Sequence, residues 1–131
     1  MKDASYPITM KKKILVVENE EHLRFLYEEE LKDEGYNVLT TFNGKKALQR
    51  MDAEKPDLII LDIGMPVMDG TEALDRIVGK DRKIPVILST FYPQYRQDLM
   101  SWAADAYVIK SADLGELKAK IRELLGEVRS C

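Results

Sequence analysis

The stretch Pro56-Asp-Leu-Ile-Ile-Leu-Asp-Ile-Gly-Met-Pro-Val-Met-Asp-Gly70 decides the fold. Pro56 stops the helix before it, because it lacks an N–H and pushes the preceding residue out of the α region. Leu58-Ile59-Ile60-Leu61 is a continuous apolar run of strand length, the pattern of a strand covered on both faces. It stops at Asp62, and Gly64, Pro66 and Gly70 then mark a loop. The strand therefore delivers a carboxylate to its carboxyl end.

Reading outward, the same alternation continues in both directions. Ile14-Leu15-Val16-Val17 is a first buried strand, followed by Leu23, Leu26, Tyr27 and Leu31 at helical spacing, with Gly35 placed to end that helix. Tyr36 to Phe42 is rich in β-formers, and Asn43 can cap a short helix carrying Ala47, Leu48 and Met51. Beyond Gly70, Ala73, Leu74, Ile77 and Val78 predict a third helix. Pro85-Val86-Ile87-Leu88 predicts a fourth strand ending in Ser89-Thr90, and Pro93 suits the first turn of a fourth helix through Leu99, Met100 and Ala103. Ala106-Tyr107-Val108-Ile109 predicts a fifth strand ending at Lys110. A capping-box pattern at Asp113 and Glu116 opens a fifth helix with Leu117, Ile121, Leu124 and Val128 on one stripe. Five βα units of this kind imply a parallel sheet with helices on both faces. Residues 12–131 are expected to form that one domain, with residues 1–11 as a poorly ordered lead-in.

Composition narrows the class. Among 131 residues, 45% are hydrophobic and 33% charged, which describes a globular chain able to build a core. The net charge of -3 argues against nucleic acid as a partner, since phosphate binding needs clustered Lys and Arg. The one basic run, Lys11-Lys12-Lys13, reads as a solvated chain entry. No apolar run has membrane-helix length, and Met1 to Met10 lacks the apolar stretch of a secretory signal. The single cysteine, Cys131, suits a reducing cytoplasm.

Parallel sheets of this class bind ligands outside the carboxyl ends of their strands. The residues there are Glu18-Asn19-Glu20 after the first strand, Asp62 after the third, Thr90 after the fourth and Lys110 after the fifth. A carboxylate can attack a phosphoryl group and become an aspartyl phosphate. That attack needs a cation against the approaching negative charges, and Mg²⁺ held by one or two carboxylates suits it. A lysine supplies a point charge to phosphoryl oxygens, and a hydroxyl can donate to another.

With those residues goes a resemblance. Lys13-Ile-Leu-Val-Val-Glu-Asn-Glu20, the Pro56 to Gly70 stretch, Ile84-Pro-Val-Ile-Leu-Ser-Thr90 and Ala104-Asp-Ala-Tyr-Val-Ile-Lys110 resemble the response-regulator receiver domains of two-component signalling, over about residues 12 to 129. The resemblance implies a flavodoxin-like (βα)5 three-layer sandwich with sheet order 2-1-3-4-5 and five helices. It implies that Asp62 is the phosphoacceptor, fed by a histidine kinase or a phosphotransfer protein in a phosphorelay. Glu18, Asn19, Asp62 and the Gly64 carbonyl would serve Mg²⁺. Thr90 and Lys110 would hold the phosphoryl group, with Thr90 and Tyr107 as switch residues. A downstream protein would meet the face made by the fourth helix, fifth strand and fifth helix. The expected unit is a stand-alone cytoplasmic regulator, monomeric or dimerising on phosphorylation. It is not an enzyme, although it would assist its own phosphorylation and dephosphorylation.

Four positions depart from the family pattern, one of them Ala103, which replaces the glycine often found before the fifth strand and is expected to be benign. Asn19 stands where a second Asp is usual, which removes one negative charge from the metal site. Phe91 follows Thr90 where a small residue is usual, setting a ring beside the site. Ser111 follows Lys110 where a cis-bonded proline is usual.

Blander readings stand beside these. Glu18 and Asn19 can cap the first helix, Tyr107 can be core, and His22 is expected to face solvent. Trp102 suits packing or a partner surface equally. A flavin- or nucleotide-binding module would need N–H groups or hydroxyls after the first strand, where Glu18-Asn19-Glu20-Glu21 instead repels phosphate. A phosphatase of the Asp-x-Asp-Gly-Thr type would need its nucleophile at Val67. The remaining alternative is a pseudo-receiver that binds partners without phosphorylation.

Overall fold

Strand Lys13–Val17 (β1) leads into helix Glu21–Asp33 (α1), strand Asn37–Thr41 (β2) and helix Gly44–Glu54 (α2). Strands Leu58–Asp62 (β3), Val86–Thr90 (β4) and Ala106–Ile109 (β5) follow, with helical residues 76–80 (α3) between β3 and β4 and helix Gly115–Leu124 (α4) after β5. The computed structural model describes residues 11–62, 76–80, 83–91, 104–111 and 113–126. Residues 1–10 of the expected lead-in, the loop with Gly64, the helix opened by Pro93 and Trp102 lie outside the described residues, as does Cys131.

All strand pairs are parallel, in the order β2-β1-β3-β4-β5, as the resemblance implies. Side chains alternate across a strand, and the two faces carry separate cores. On one face Ile14, Val16, Leu58, Ile60, Ile87 and Val108 meet Tyr27 and Leu31 of α1 and Leu117 and Ile121 of α4. On the other, Leu15, Val17, Ile59, Leu61, Val86 and Leu88 meet Ala47 and Met51 of α2 and Ile77 of α3. Each such side chain, fully buried, contributes about 1.5–3 kcal/mol. Burial on both faces is why the strands read as unbroken apolar runs.

Local signals set most of the element ends. Gly35, at φ +100, closes α1: its N–H donates to the Lys32 carbonyl and the Tyr36 N–H to the Leu31 carbonyl. Tyr36 and Leu31 pack in the same core, completing a Schellman turn. Tyr36 therefore serves the turn, and β2 begins at Asn37. Asn43 caps α2 as expected, its side chain accepting from the Lys46 N–H at 2.8 Å. Lys55 ends α2 in the left-handed region, at φ 51, just before Pro56. Lys13 belongs to β1 rather than to a solvated entry, and its ammonium donates to the Glu54 carbonyl at 2.8 Å.

The expected capping box on the last helix is corrected. The N-cap is Leu114, without a side-chain cap, and Asp113 Oδ1 accepts from the Gly115 N–H at 2.9 Å instead. Ser111 and Asp113 form a turn of their own, with the Ser111 hydroxyl donating to the Asp113 carbonyl at 2.7 Å. That turn starts one residue early and lets Leu114 enter the core at the helix mouth. Glu116 is left exposed.

Candidate functional site

Strand parity selects which groups share the site. Glu18, Asp62, Ser89 and Lys110 continue the parity of Val16, Ile60, Ile87 and Val108, so all four belong to the α1–α4 side at the carboxyl end of the sheet. Thr90 has the parity of Leu88, on the α2–α3 side. Backbone pairing carries past the strand ends and keeps these residues in register. The Glu18 N–H donates to the Thr41 carbonyl at 3.0 Å and the Lys110 N–H to the Thr90 carbonyl at 2.7 Å. Aspartates at the amino ends do structural work instead: Asp57 accepts from the Lys13 N–H and Asp105 from the Val86 N–H.

The connection from β1 to α1 is laced to Glu18. Its Oε2 accepts from the Glu20 N–H at 3.0 Å, and Arg24 Nη1 donates to its carbonyl at 2.9 Å. Glu20 caps α1, its Oε1 accepting from the Leu23 N–H at 2.9 Å. Capping thus falls to Glu20, and neither Glu18 nor Asn19 is spent on it. Asn19 is exposed at the bend between them, and His22 is exposed as expected.

At the centre, the Lys110 ammonium lies 2.8 Å from Glu18 Oε1 and in contact with Asp62 Oδ1. The three side chains are only 2%, 1% and 7% exposed. Lys110 follows β5, whereas Asp62 ends β3 and Glu18 follows β1, so its side chain passes β4 to reach them. The Phe91 ring, half exposed, lies 5.0 Å from the ammonium and adds a cation–π contact. The expectation of a ring beside the site is met at that distance.

Burial pushes the Glu18 carboxyl above its ordinary value; contact with Lys110 opposes this, and the Asp62 charge adds to it. For Lys110, burial works to lower the ammonium, but contacts with Asp62 and Glu18 outweigh it and the net direction is up. Burial likewise raises Tyr27, against the opposing effect of its hydrogen bond with Ser89. Both raised groups contribute stability that is complete below their ordinary values of 10.0 for Tyr27 and 10.5 for Lys110 and lost as pH rises through the higher folded values. Urea unfolding midpoints should therefore fall as pH climbs above about 10, and fall less in Tyr27→Phe. A midpoint unchanged up to about pH 11.5 would contradict this.

Thr90 is buried at the end of β4, and Tyr107 is half-buried against the core on the α2–α3 side. Among the described residues no peptide bond is cis, so the Lys110–Ser111 bond is trans. Sequence reasoning missed Glu20 as the cap, the Arg24 contact, and a buried hydrogen bond between Tyr27 and Ser89. Glu20 carried no readable cap signal, since Ser, Thr, Asp and Asn are the side chains that favour that position.

Magnesium, which the resemblance implies, fits the residues present. Glu18 Oε1 and Asp62 Oδ1 are buried, receive no well-directed hydrogen bond and lie against the Lys110 ammonium. Among the described residues no group of three or more His, Cys, Asp or Glu could hold a metal. Mg²⁺ needs fewer, since one or two carboxylates with waters and phosphoryl oxygens complete its shell.

A five-stranded parallel sheet of this order, with acids and a lysine at its carboxyl mouth, defines a doubly wound α/β domain with a candidate ligand site at its strand ends. The family model described as the response regulator receiver domain matches residues 14–122, and the chain belongs to that family. It is 47% identical to the response regulator TrrA of Thermotoga maritima, solved in complex with Mg(2+)-BeF, with a TM-score of 0.79 over 86% of this chain and 98% of that one. TrrA has also been solved in complex with the histidine kinase ThkA; that structure matches at 46% identity and a TM-score of 0.78, covering 87% of this chain and 98% of that one. Sporulation initiation phosphotransferase F of Bacillus subtilis is 34% identical over 88% of this chain and 95% of its own length. The alkaline phosphatase synthesis transcriptional regulatory protein PhoP of the same organism is 33% identical over 88% of this chain. The chain spans about half of PhoP and of other curated regulators it matches (49%, 48% and 46% of three of them). Receiver domains are signalling domains rather than classical enzymes, and among the described residues no helix is long and apolar enough to cross a membrane.

Proposed function

We propose that Asp62 accepts a phosphoryl group from a histidine kinase or phosphotransfer protein, and that its phosphorylation switches partner binding. The observation that carries this is the buried Lys110 ammonium held between the Asp62 and Glu18 carboxylates at the mouth of the sheet. In this reading an Asp62 oxygen attacks phosphorus, and the electrons of the breaking bond leave with the donor. Lys110 is already beside the acceptor and meets the incoming phosphoryl oxygens; Thr90, at the end of the neighbouring strand, donates to another. Glu18, Asn19, Asp62 and the Gly64 carbonyl would hold Mg²⁺, which supplies positive charge against the approaching phosphoryl group.

Phosphorylation then biases a two-state equilibrium: Thr90 shifts toward the phosphoryl group and Tyr107 turns inward. The surface that changes is the one built from the helix expected over residues 93–103, β5 and α4. The kinase complex of TrrA supports a kinase as donor. We assign residues 12–131 to the receiver unit, with residues 1–11 as a lead-in, and a cytoplasmic setting. In that reading the unit is either a monomer or a homodimer formed on phosphorylation.

Incubation with acetyl phosphate and Mg²⁺, followed by intact-mass measurement, should show one added phosphoryl group in the wild type and none in Asp62→Asn. Beryllofluoride with Mg²⁺ should change the near-ultraviolet spectrum of the wild type alone. Absence of both signals would overturn the proposal and leave a phosphorylation-independent interaction module.

A further inference from the structure

Tyr27 and Ser89 are not accounted for by packing alone. Tyr27 belongs to an α1–α4 core cluster that is otherwise aliphatic apart from Tyr36. Its hydroxyl lies 3.4 Å from Ser89 Oγ, and the two residues are 2% and 1% exposed. Burying two hydroxyls in an apolar layer is unfavourable unless they satisfy each other, and even then the net gain is small. An aliphatic pair of the same volume would fill the space without that cost.

The location supplies a reason. The buried polar residues Glu18, Thr41, Ser89, Thr90 and Lys110 all sit at the carboxyl ends of strands. Ser89 stands opposite Asp62 in the β3–β4 register and precedes Thr90 in the chain. It also has the same parity as Asp62, Glu18 and Lys110, on the strand that the Lys110 side chain crosses to reach its partners. Tyr27 comes from α1 below and pins this serine. The charges of Lys110, Glu18 and Asp62 all act on its phenol. The hydroxyl pair therefore ties helix α1 to the one strand residue that touches the acceptor's register and the switch threonine's backbone.

We propose that Tyr27 and Ser89, joined hydroxyl to hydroxyl beneath the ion-paired carboxylates, are positioning residues that set the geometry of Thr90 and Lys110 for phosphoryl acceptance on Asp62. This rests on the phosphoacceptor reading above. The pair touches no reacting atom. It fixes the end of β4 against α1, and so sets the position from which the threonine shifts toward the phosphoryl oxygens.

The test uses the full chain as wild type, Tyr27→Phe, Ser89→Ala, Ser89→Thr and the Tyr27→Phe/Ser89→Ala double variant. Phosphorylation by acetyl phosphate with Mg²⁺ is followed by intact mass across donor concentrations, which separates the limiting rate from the half-saturating concentration. Each single hydroxyl deletion should lower the limiting rate about fivefold, with the half-saturating concentration unchanged within about twofold. The double variant should lose no more than either single one, because one interaction is being removed twice. Ser89→Thr should keep at least half the wild-type rate. Urea unfolding run alongside identifies variants that lose folded protein, and rates are compared per folded molecule.

Limiting rates within about twofold of wild type in both hydroxyl deletions would overturn the proposal. So would additive losses, or a loss confined to donor saturation. A wild type that forms no adduct would instead remove the phosphoacceptor reading and this proposal with it, and the two failures are told apart by that control.

Discussion

Lys110→Met is expected to cost about 3–5 kcal/mol of unfolding free energy at neutral pH. The methionine fills the same corridor across β4 but leaves Glu18 Oε1 and Asp62 Oδ1 buried with no cation and no well-directed hydrogen bond. Two like charges taken from water into such a site repel each other, and the variant relieves this by protonating one of them. Glu18 is the candidate, since its burial already pushes its carboxyl up. Raised further, it makes the folded variant bind a proton that the unfolded chain does not hold at neutral pH. The stability of the variant therefore rises as pH falls toward the ordinary carboxyl value of 4.5. Urea unfolding at about pH 7.5 and again at about pH 5.5 should show the deficit shrinking at the lower pH. Adding Glu18→Gln to Lys110→Met should recover part of the loss at pH 7.5 and flatten the pH dependence.

A surface control is available in the same molecule. Lys118 bridges α4 to α1 through Glu30 at 2.8 Å and Glu34 at 3.5 Å, again one ammonium between two carboxylates. Solvent reaches that cluster and screens it, so Lys118→Met should lose far less than Lys110→Met. Equal losses in the two variants would mean that burial of the Lys110 triad is not what makes it matter. A Lys110→Met deficit below about 1 kcal/mol would carry the same message.

The fold was legible because burial on both faces leaves an unmistakable mark. Leu58 to Leu61 and Ala106 to Ile109 could be placed from apolar continuity, and Gly35 and Asn43 from the backbone geometry that helix ends need. Boundaries moved where two roles compete for one residue. Tyr36 looks like a strand residue but is used by the Schellman turn, and Asp113 looks like a cap but serves a turn begun by Ser111. Strand-end position also named Glu18, Asp62 and Lys110, which the structure brings into contact, and Thr90, which ends β4 with the opposite parity. It did not show that Lys110 reaches past β4 to Asp62 and on to Glu18 beyond the end of β1, because side-chain reach across a sheet leaves no periodic trace. Nor did it find the Tyr27–Ser89 pair, since a tyrosine on an apolar helix stripe is indistinguishable from core until the opposing residue is known.

Asn19→Asp is expected to raise Mg²⁺ affinity by about tenfold or more. Two unit charges about 4 Å apart gain about 1 kcal/mol in water, so a divalent ion beside one added carboxylate gains about twice that. The bend at Asn19 is exposed, which makes the aqueous figure the suitable one, and raising the salt concentration should reduce the gain. Without the metal the sign reverses. Lys110 is already shared by Glu18 and Asp62, so a third carboxylate at the mouth finds no unshared ammonium in the triad, and the metal-free variant should unfold at lower urea than wild type. Mg²⁺ titration by calorimetry and metal-free unfolding thus test one placement from opposite directions. Tighter metal binding together with weaker metal-free stability is the signature of a residue whose oxygen faces the same cation as Glu18 and Asp62. Unchanged affinity would put position 19 outside the metal's shell and leave Glu18 and Asp62 as the side-chain ligands. If position 19 lies in that shell, the wild-type amide would keep an oxygen for the cation while sparing the Lys110 triad a third negative charge. The proposed acceptor site would then be set for stability when empty, at the expense of affinity when filled.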